Sequence, residues 1–179
     1  MILGLPSGTV SLQRAHDEWA RAFEREAQLI ESAIGLYILD VRHIGSTAIK
    51  GVPAKPILDL LVGVASYEDA ARCVALLEEL GYEYRGEAGI ARRHYFVKGE
   101  PRTHHLHMVE KDGPQWTAAL AFRDALRSHR ELAQEYAAAK EALARRFAHD
   151  RDAYQAAKDQ VVVALLHSLS RGSGGSSSE

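Results

Sequence analysis

The segment Pro56-Ile57-Leu58-Asp59-Leu60-Leu61-Val62-Gly63-Val64 is a nearly continuous apolar run, set off upstream by Gly51 and Pro53. A run this short, without polar alternation, suits a strand buried on both faces, so the fold must cover both sides of the sheet that holds it. Asp59 breaks the pattern. A carboxylate inside such a strand is costly unless it is paired, hydrogen-bonded or bound to a metal. Two reasons for it stand open here. One is a hard cation, Mg2+ or Mn2+, shared with the phosphates of a nucleotide. The other is a structural role, capping nearby backbone or pairing with Lys55, Arg42 or Arg93.

The elements around this strand are mixed. Leu12, Ala15, Trp19, Ala22, Phe23, Ile30 and Ile34 recur at helical spacing, which predicts a helix from near Ser11 to Gly35. Leu36 to Ile44 reads as a strand that leads into the turn Gly45-Ser46-Thr47-Ala48. Ser66 and Asp69 approximate a capping pair ahead of a helix carrying Ala70, Cys73, Val74, Leu77 and Leu80. Three further strands are expected at Tyr82 to Tyr84, Arg93 to Val97 and His104 to Glu110. After Gly113-Pro114 the composition turns to Ala, Arg, Glu and Leu, predicting helices over about 115–128, 131–148 and 151–169. The Gly/Ser-rich stretch from Gly172 to Glu179 is expected to be disordered. The expected fold is therefore mixed α/β, a mixed sheet with flanking helices and a helical C-terminal third.

With 179 residues, 46% of them hydrophobic, one domain over about 1–170 is expected. The 22 basic and 24 acidic residues nearly cancel to a net charge of −2, so no global field draws polyanions, and nucleic acid is not an expected partner. No apolar stretch approaches the ~20 residues of a membrane span, and the N-terminus carries no basic-then-apolar leader pattern. The chain is thus expected in the cytoplasm. Cys73 has no second cysteine to pair with and reads as a small buried hydrophobe.

The residues with chemical potential lie close to Asp59 or on the later strands. Gly45 lets backbone approach an anion, and Ser46 and Thr47 add hydroxyl donors at the start of a helical turn; this is either a phosphate cradle or an ordinary cap. His43 precedes the turn, where it either orients a substrate or Asp59 or is a satisfied core histidine, and Lys55 lies between the turn and Asp59. His105 and His107 are two apart on a strand and so share one face, placed to pair on a metal, to bind phosphate, to move protons or to be satisfied by neighbours. Arg92 and Arg93 must point to opposite faces. Arg93, in step with Tyr95, is the one of the two placed to hold phosphate; the alternative is a solvated pair of surface charges.

The string His43-Ile44-Gly45-Ser46-Thr47-Ala48, followed by Gly51-Val52-Pro53-Ala54-Lys55-Pro56-Ile57-Leu58-Asp59, resembles the signature of the GrpB (UPF0157) family of nucleotidyltransferase-like proteins. Gly81-Tyr82, Arg92-Arg93, Phe96-Val97-Lys98, His105-Leu106-His107, Phe122 to Arg127 and Tyr136 to Lys140 resemble it in the same order, over about 10–169. The resemblance implies a nucleotidyltransferase-like fold. In it, His43, Gly45, Ser46, Thr47, Lys55 and Arg93 would surround nucleotide phosphates, Asp59 would hold Mg2+ or Mn2+, and His105 and His107 would assist catalysis. One position departs from the broader nucleotidyltransferase pattern, which places a second acid two residues after the first; Leu61 stands there. Three functions therefore remain open: nucleotidyl transfer to an acceptor, with Glu110 or the histidines completing a different site; a noncatalytic ligand-binding or folding-accessory module in an inherited cleft; or an interaction domain that binds a protein through its terminal helices.

Overall fold

The computed structural model describes residues 3–6 and 8–172. Helix α1 (His16–Ile34) precedes strand β1 (Asp40–Ile44), a single 3-10 turn (Ser46–Ala48) and strand β2 (Leu58–Val64). The short helices α2 (Tyr67–Ala70) and α3 (Val74–Glu79) lead to β3 (Tyr82–Tyr84), β4 (His94–Lys98) and β5 (His104–Glu110). Helices α4 (Pro114–Ser128), α5 (Arg130–Arg146) and α6 (Arg151–Gly172) make up the C-terminal third. The sheet order is β1-β2-β5-β4-β3. Its central pair, β2 with β5, is parallel, and the other neighbours are antiparallel.

The apolar run is the second strand of this mixed sheet and is covered on both faces, as its composition demands. Leu58, Leu60, Val62 and Val64 point into the main core with Trp19, Ile30, Ile34, Cys73, Leu77, Phe96, Leu106 and Met108. On the other face Leu61 packs with Val109 and Trp116. Gly63 admits the Trp116 ring; a Cβ there would lie 2.9 Å from its Cζ3. A third cluster of Ile49, Val52, Leu126, Tyr136 and Leu165 fastens the α4–α6 layer to the segment after the 3-10 turn. Burying these side chains stabilises the fold by roughly 1.5–3 kcal/mol each.

Several boundaries differ from the sequence reading by a few residues, β4 being shifted by one and α6 running to Gly172 where disorder was expected to begin; three differences are instructive. Helix α1 starts at His16 rather than Ser11, because the backbone of Gln13 exchanges hydrogen bonds with Ala54 at 2.8 and 2.9 Å and so is committed to an extended bridge. Strand β1 begins only at Asp40; Leu36 and Leu39 are exposed and precede the pairing. The helix over residues 67–79 is cut by a 3-10 turn, Ala71–Cys73, although Ser66 caps its start by accepting from the Asp69 N–H at 3.1 Å. The expectation for 173–179 lies outside the described residues. Among those described, no helix is long and apolar enough to cross a membrane.

Candidate functional site

Strand alternation sorts the chemistry-bearing residues onto two faces. Parallel register sets Asp59 opposite His105 and Leu61 opposite His107, and antiparallel register sets Tyr95 opposite His107. Asp59, His105, His107, Tyr95 and Arg93 therefore share the face over which α4–α6 pack. His43 is paired with Leu60 and faces the main core instead.

On the shared face the side chains form a directional chain. Arg93 donates to Nδ1 of His107 at 3.3 Å, which leaves the His107 proton on Nε2, 3.9 Å from Asp59 Oδ1. His105 donates from Nδ1 to the same oxygen at 3.0 Å. The Arg93 guanidinium also donates to the carbonyls of Glu87 and Ala88 and lies over the Tyr95 ring, 4.7 Å from its centroid. Burial pushes the Asp59 carboxyl up, but hydrogen bonding from His105, with His107 behind it, outweighs burial and holds it well below the usual carboxylate range. Burial lowers His107, which favours the neutral ring. Asp59 is thus an ionised carboxylate with 29% of its side chain open. Its partners are two imidazoles, where pairing with Lys55, Arg42 or Arg93 had been the structural alternative.

Gly45 closes against this carboxylate. It adopts φ 68°, ψ −174°, a region essentially restricted to glycine. A Cβ there would meet Asp59 Oδ2 at 2.3 Å and Cγ at 2.9 Å. The following residues make only a three-residue 3-10 turn, so the favourable dipole of a longer helix, expected from the sequence, is not supplied here. Burial pushes the Tyr136 hydroxyl up to about 12, with Ser46 acting in the other direction. The Thr47 hydroxyl turns inward to His43 Nε2 at 2.9 Å. His43 stacks on Phe23 with ring centroids 4.7 Å apart, and burial lowers its pKa to about 4. His43 therefore props the turn from below as a neutral imidazole. Arg123 and Arg127 hold the same segment from outside, donating to the carbonyls of His43 at 3.0 Å and Ala48 at 2.9 Å.

These groups border a cleft of about 730 Å3, within the usual size range of small-ligand sites. Gly45, Ser46, Thr47, Lys55, Asp59, Arg93, His105 and His107 line it; His43 does not. Four other residues weighed from the sequence stand elsewhere. Glu110 and Arg92 pair at 2.7 Å outside the cleft, and Lys98 pairs with buried Glu26 at 2.7 Å under the opposite face. Leu61 is 2% exposed and fixed in apolar packing where a second acid was sought.

Several lining residues were not among the expected site residues: Arg102, Tyr136, Lys140, Arg151, Tyr154 and Lys158. Lys140 is 2% exposed, donates to the Pro53 carbonyl at 2.6 Å and is held well below the ordinary lysine value by burial. A signal existed, because Lys140 interrupts the apolar stripe Tyr136, Leu143, Phe147 at helical spacing, as Asp59 interrupts its strand. In all, six basic side chains (Lys55, Arg93, Arg102, Lys140, Arg151, Lys158) face three carboxylates (Asp59, Asp152, Asp159) around the cleft. This local excess is hidden by the net charge of −2 for the whole chain.

The GrpB protein family model matches residues 9–168. The UPF0157 protein PA4798 of Pseudomonas aeruginosa is 43% identical over 157 residues, covering 85% of this chain but 64% of its own length. The glutamate-rich protein GrpB of Alkalihalophilus pseudofirmus is 36% identical over 174 residues, 94% of this chain and the whole of that one. The crystal structure of the conserved protein GrpB from Enterococcus faecalis superposes with a TM-score of 0.80 at 34% identity, over 89% of this chain and 99% of that one. On the family match and these relatives, the chain belongs to the GrpB protein family.

Proposed function

We propose that the cleft binds a nucleoside triphosphate and transfers its nucleotidyl group to an acceptor. The observation that carries this reading is the fit of Gly45 against the ionised Asp59, with Arg93 and two histidines on the same sheet face. Phosphoryl chemistry needs positioning and charge stabilisation more than covalent help from the protein. Arg93 is held in place by the Glu87 and Ala88 carbonyls and by His107, which leaves one Nη1–H and the fixed positive charge to meet a phosphate oxygen. His105 keeps its Nδ1 proton toward Asp59, leaving Nε2 as the acceptor for an incoming hydroxyl proton.

The donor set admits a hard cation only in part. Among the described residues no group of three or more His, Cys, Asp or Glu forms a metal-holding cluster. Mg2+ is commonly bound by one or two carboxylates completed by substrate phosphates, and Asp59 meets that minimum. Asp59 would hold Mg2+ or Mn2+, and the ion would neutralise charge building on the transferred group.

The test is the thermal midpoint against a panel of nucleoside triphosphates, with and without Mg2+ or Mn2+, for intact protein and Asp59→Ala. A site filled at 100 times its dissociation constant adds about 2.7 kcal/mol, a shift of several degrees for a chain of this size. A metal-dependent shift lost in Asp59→Ala supports the reading; no shift with any nucleotide refutes it. The buried Leu61 favours a second reading, a binding module without turnover. Detection of an Asp59-dependent nucleotidyl product would overturn that one.

A further inference from the structure

At the end of the cleft walled by α6 and the segment before β2, several polar groups lack partners. The Tyr154 hydroxyl is fully buried, lines the cleft and has no hydrogen-bond partner among the described residues. The Nε of Arg102, which also lines the cleft, is buried and unpartnered as well. The half-buried ammonium of Lys55 makes no hydrogen bond or ion pair among the described residues; its Nζ sits 5.3 Å from the centroid of the Tyr154 ring. Arg151 and Lys158 face it from α6, and burial together with these two cations lowers Lys55 to about 8. Asp152 and Asp159 lie on the same helix. Lys158 is 3.7 Å from Asp159, whose carboxylate is largely exposed.

A buried donor without an acceptor costs about 1–3 kcal/mol, so natural structures seldom keep one without a purpose. Here Tyr154, Arg102 and Lys55 are all donors, and their surroundings are cationic. An incoming group would have to be an acceptor and an anion. Lys140 is not among these unpartnered groups, because the Pro53 carbonyl already accepts from it.

We propose that Lys55, Arg102, Arg151, Lys158 and the Tyr154 hydroxyl form an anion subsite that takes the terminal phosphates of a polyphosphate-bearing ligand without a divalent cation. The subsite deepens the nucleotidyl-transfer reading by assigning the two ends of the cleft. Phosphate binding belongs to the cationic end, and any metal requirement belongs to transfer beside Asp59. Charge is neutralised by fixed side chains, so chelation leaves binding intact while added salt weakens it.

Inorganic tripolyphosphate carries the anion and no nucleoside, and titration calorimetry of the full chain in low salt with EDTA measures it directly. Binding is expected in EDTA, weakened about tenfold or more by Lys55→Met and by Tyr154→Phe, each of which removes one donor and keeps the side chain's shape. Phosphorus NMR line broadening of tripolyphosphate on intact protein gives a second readout that does not depend on the variants folding. Binding only when Mg2+ is present, no binding at all, or wild-type affinity in both folded variants would each overturn the subsite. The nucleotide reading is judged separately. Tripolyphosphate binding without any nucleotide-dependent midpoint shift keeps the subsite and removes the nucleotide, whereas a nucleotide shift with no tripolyphosphate binding does the reverse.

Discussion

Gly45→Ala should be among the most damaging single-methyl changes in the chain. Its φ of 68° with ψ −174° is strained for any residue with a Cβ, a cost of about 1–3 kcal/mol. The added methyl would also stand 2.3 Å from Asp59 Oδ2, so the carboxylate must swing away from the Nδ1–H of His105. Losing a hydrogen bond to a charged group adds about 1.5–3 kcal/mol. Together these give a destabilisation of about 3–5 kcal/mol by urea unfolding. Gly51→Ala is the control, because Gly51 also has positive φ, 88°, but a Cβ there meets nothing within 4 Å; strain alone costs it about 1–2 kcal/mol. The collision can be isolated by repeating Gly45→Ala in an Asp59→Ala background. Only the Asp59 Cβ, at 3.0 Å, then remains in the way. The second-background cost should fall by about 1–3 kcal/mol, the range measured for residues in contact. If Gly45→Ala costs no more than Gly51→Ala, or costs the same in both backgrounds, Gly45 is not held by Asp59 and the site as built here is wrong.

Two further outcomes follow from the packing beneath the turn. His43 and His104 are lowered by burial to about 4 from the ordinary 6.5, so between those values the unfolded chain takes up protons that the folded chain refuses. Stability should be complete above about pH 6.5 and fall toward pH 4 by at most about 1.4 kcal/mol per pH unit for each histidine, and a His43→Gln variant should show a shallower slope in urea titrations at pH 5 and 7. Equal slopes would mean that His43 is not buried as a neutral ring. Thr47→Val removes the hydroxyl that meets His43 Nε2 at 2.9 Å while keeping the shape, and should cost about 1–3 kcal/mol by urea unfolding; an unchanged midpoint would show the pair to be incidental.

Much of the fold was legible because local patterns left little choice. An apolar run without alternation required a strand with two covered faces, and Gly113-Pro114 marked where the helical third begins. Boundaries were less legible where tertiary hydrogen bonds override propensity, as at Gln13, whose bridge to Ala54 delays α1. At the site, period-two alternation was enough to set Arg93 beside Tyr95 and to separate it from Arg92. Alternation within one strand could not tell which face of β1 would meet Asp59, and so it did not reveal that His43 turns into the core while Ile44 is the residue paired with Asp59.

The sequence by itself determined the mixed α/β class, the order of elements and the oddity of one acid in an apolar strand, because these depend on periodicity and on the cost of burying charge. Tertiary structure alone decided that His105 on a distant strand, with His107 nearby, satisfies that acid, and that α5 and α6 bring Lys140, Arg151, Tyr154 and Lys158 to the cleft. Those choices depend on strand register and helix packing across separations of about 50–100 residues, which no local pattern encodes.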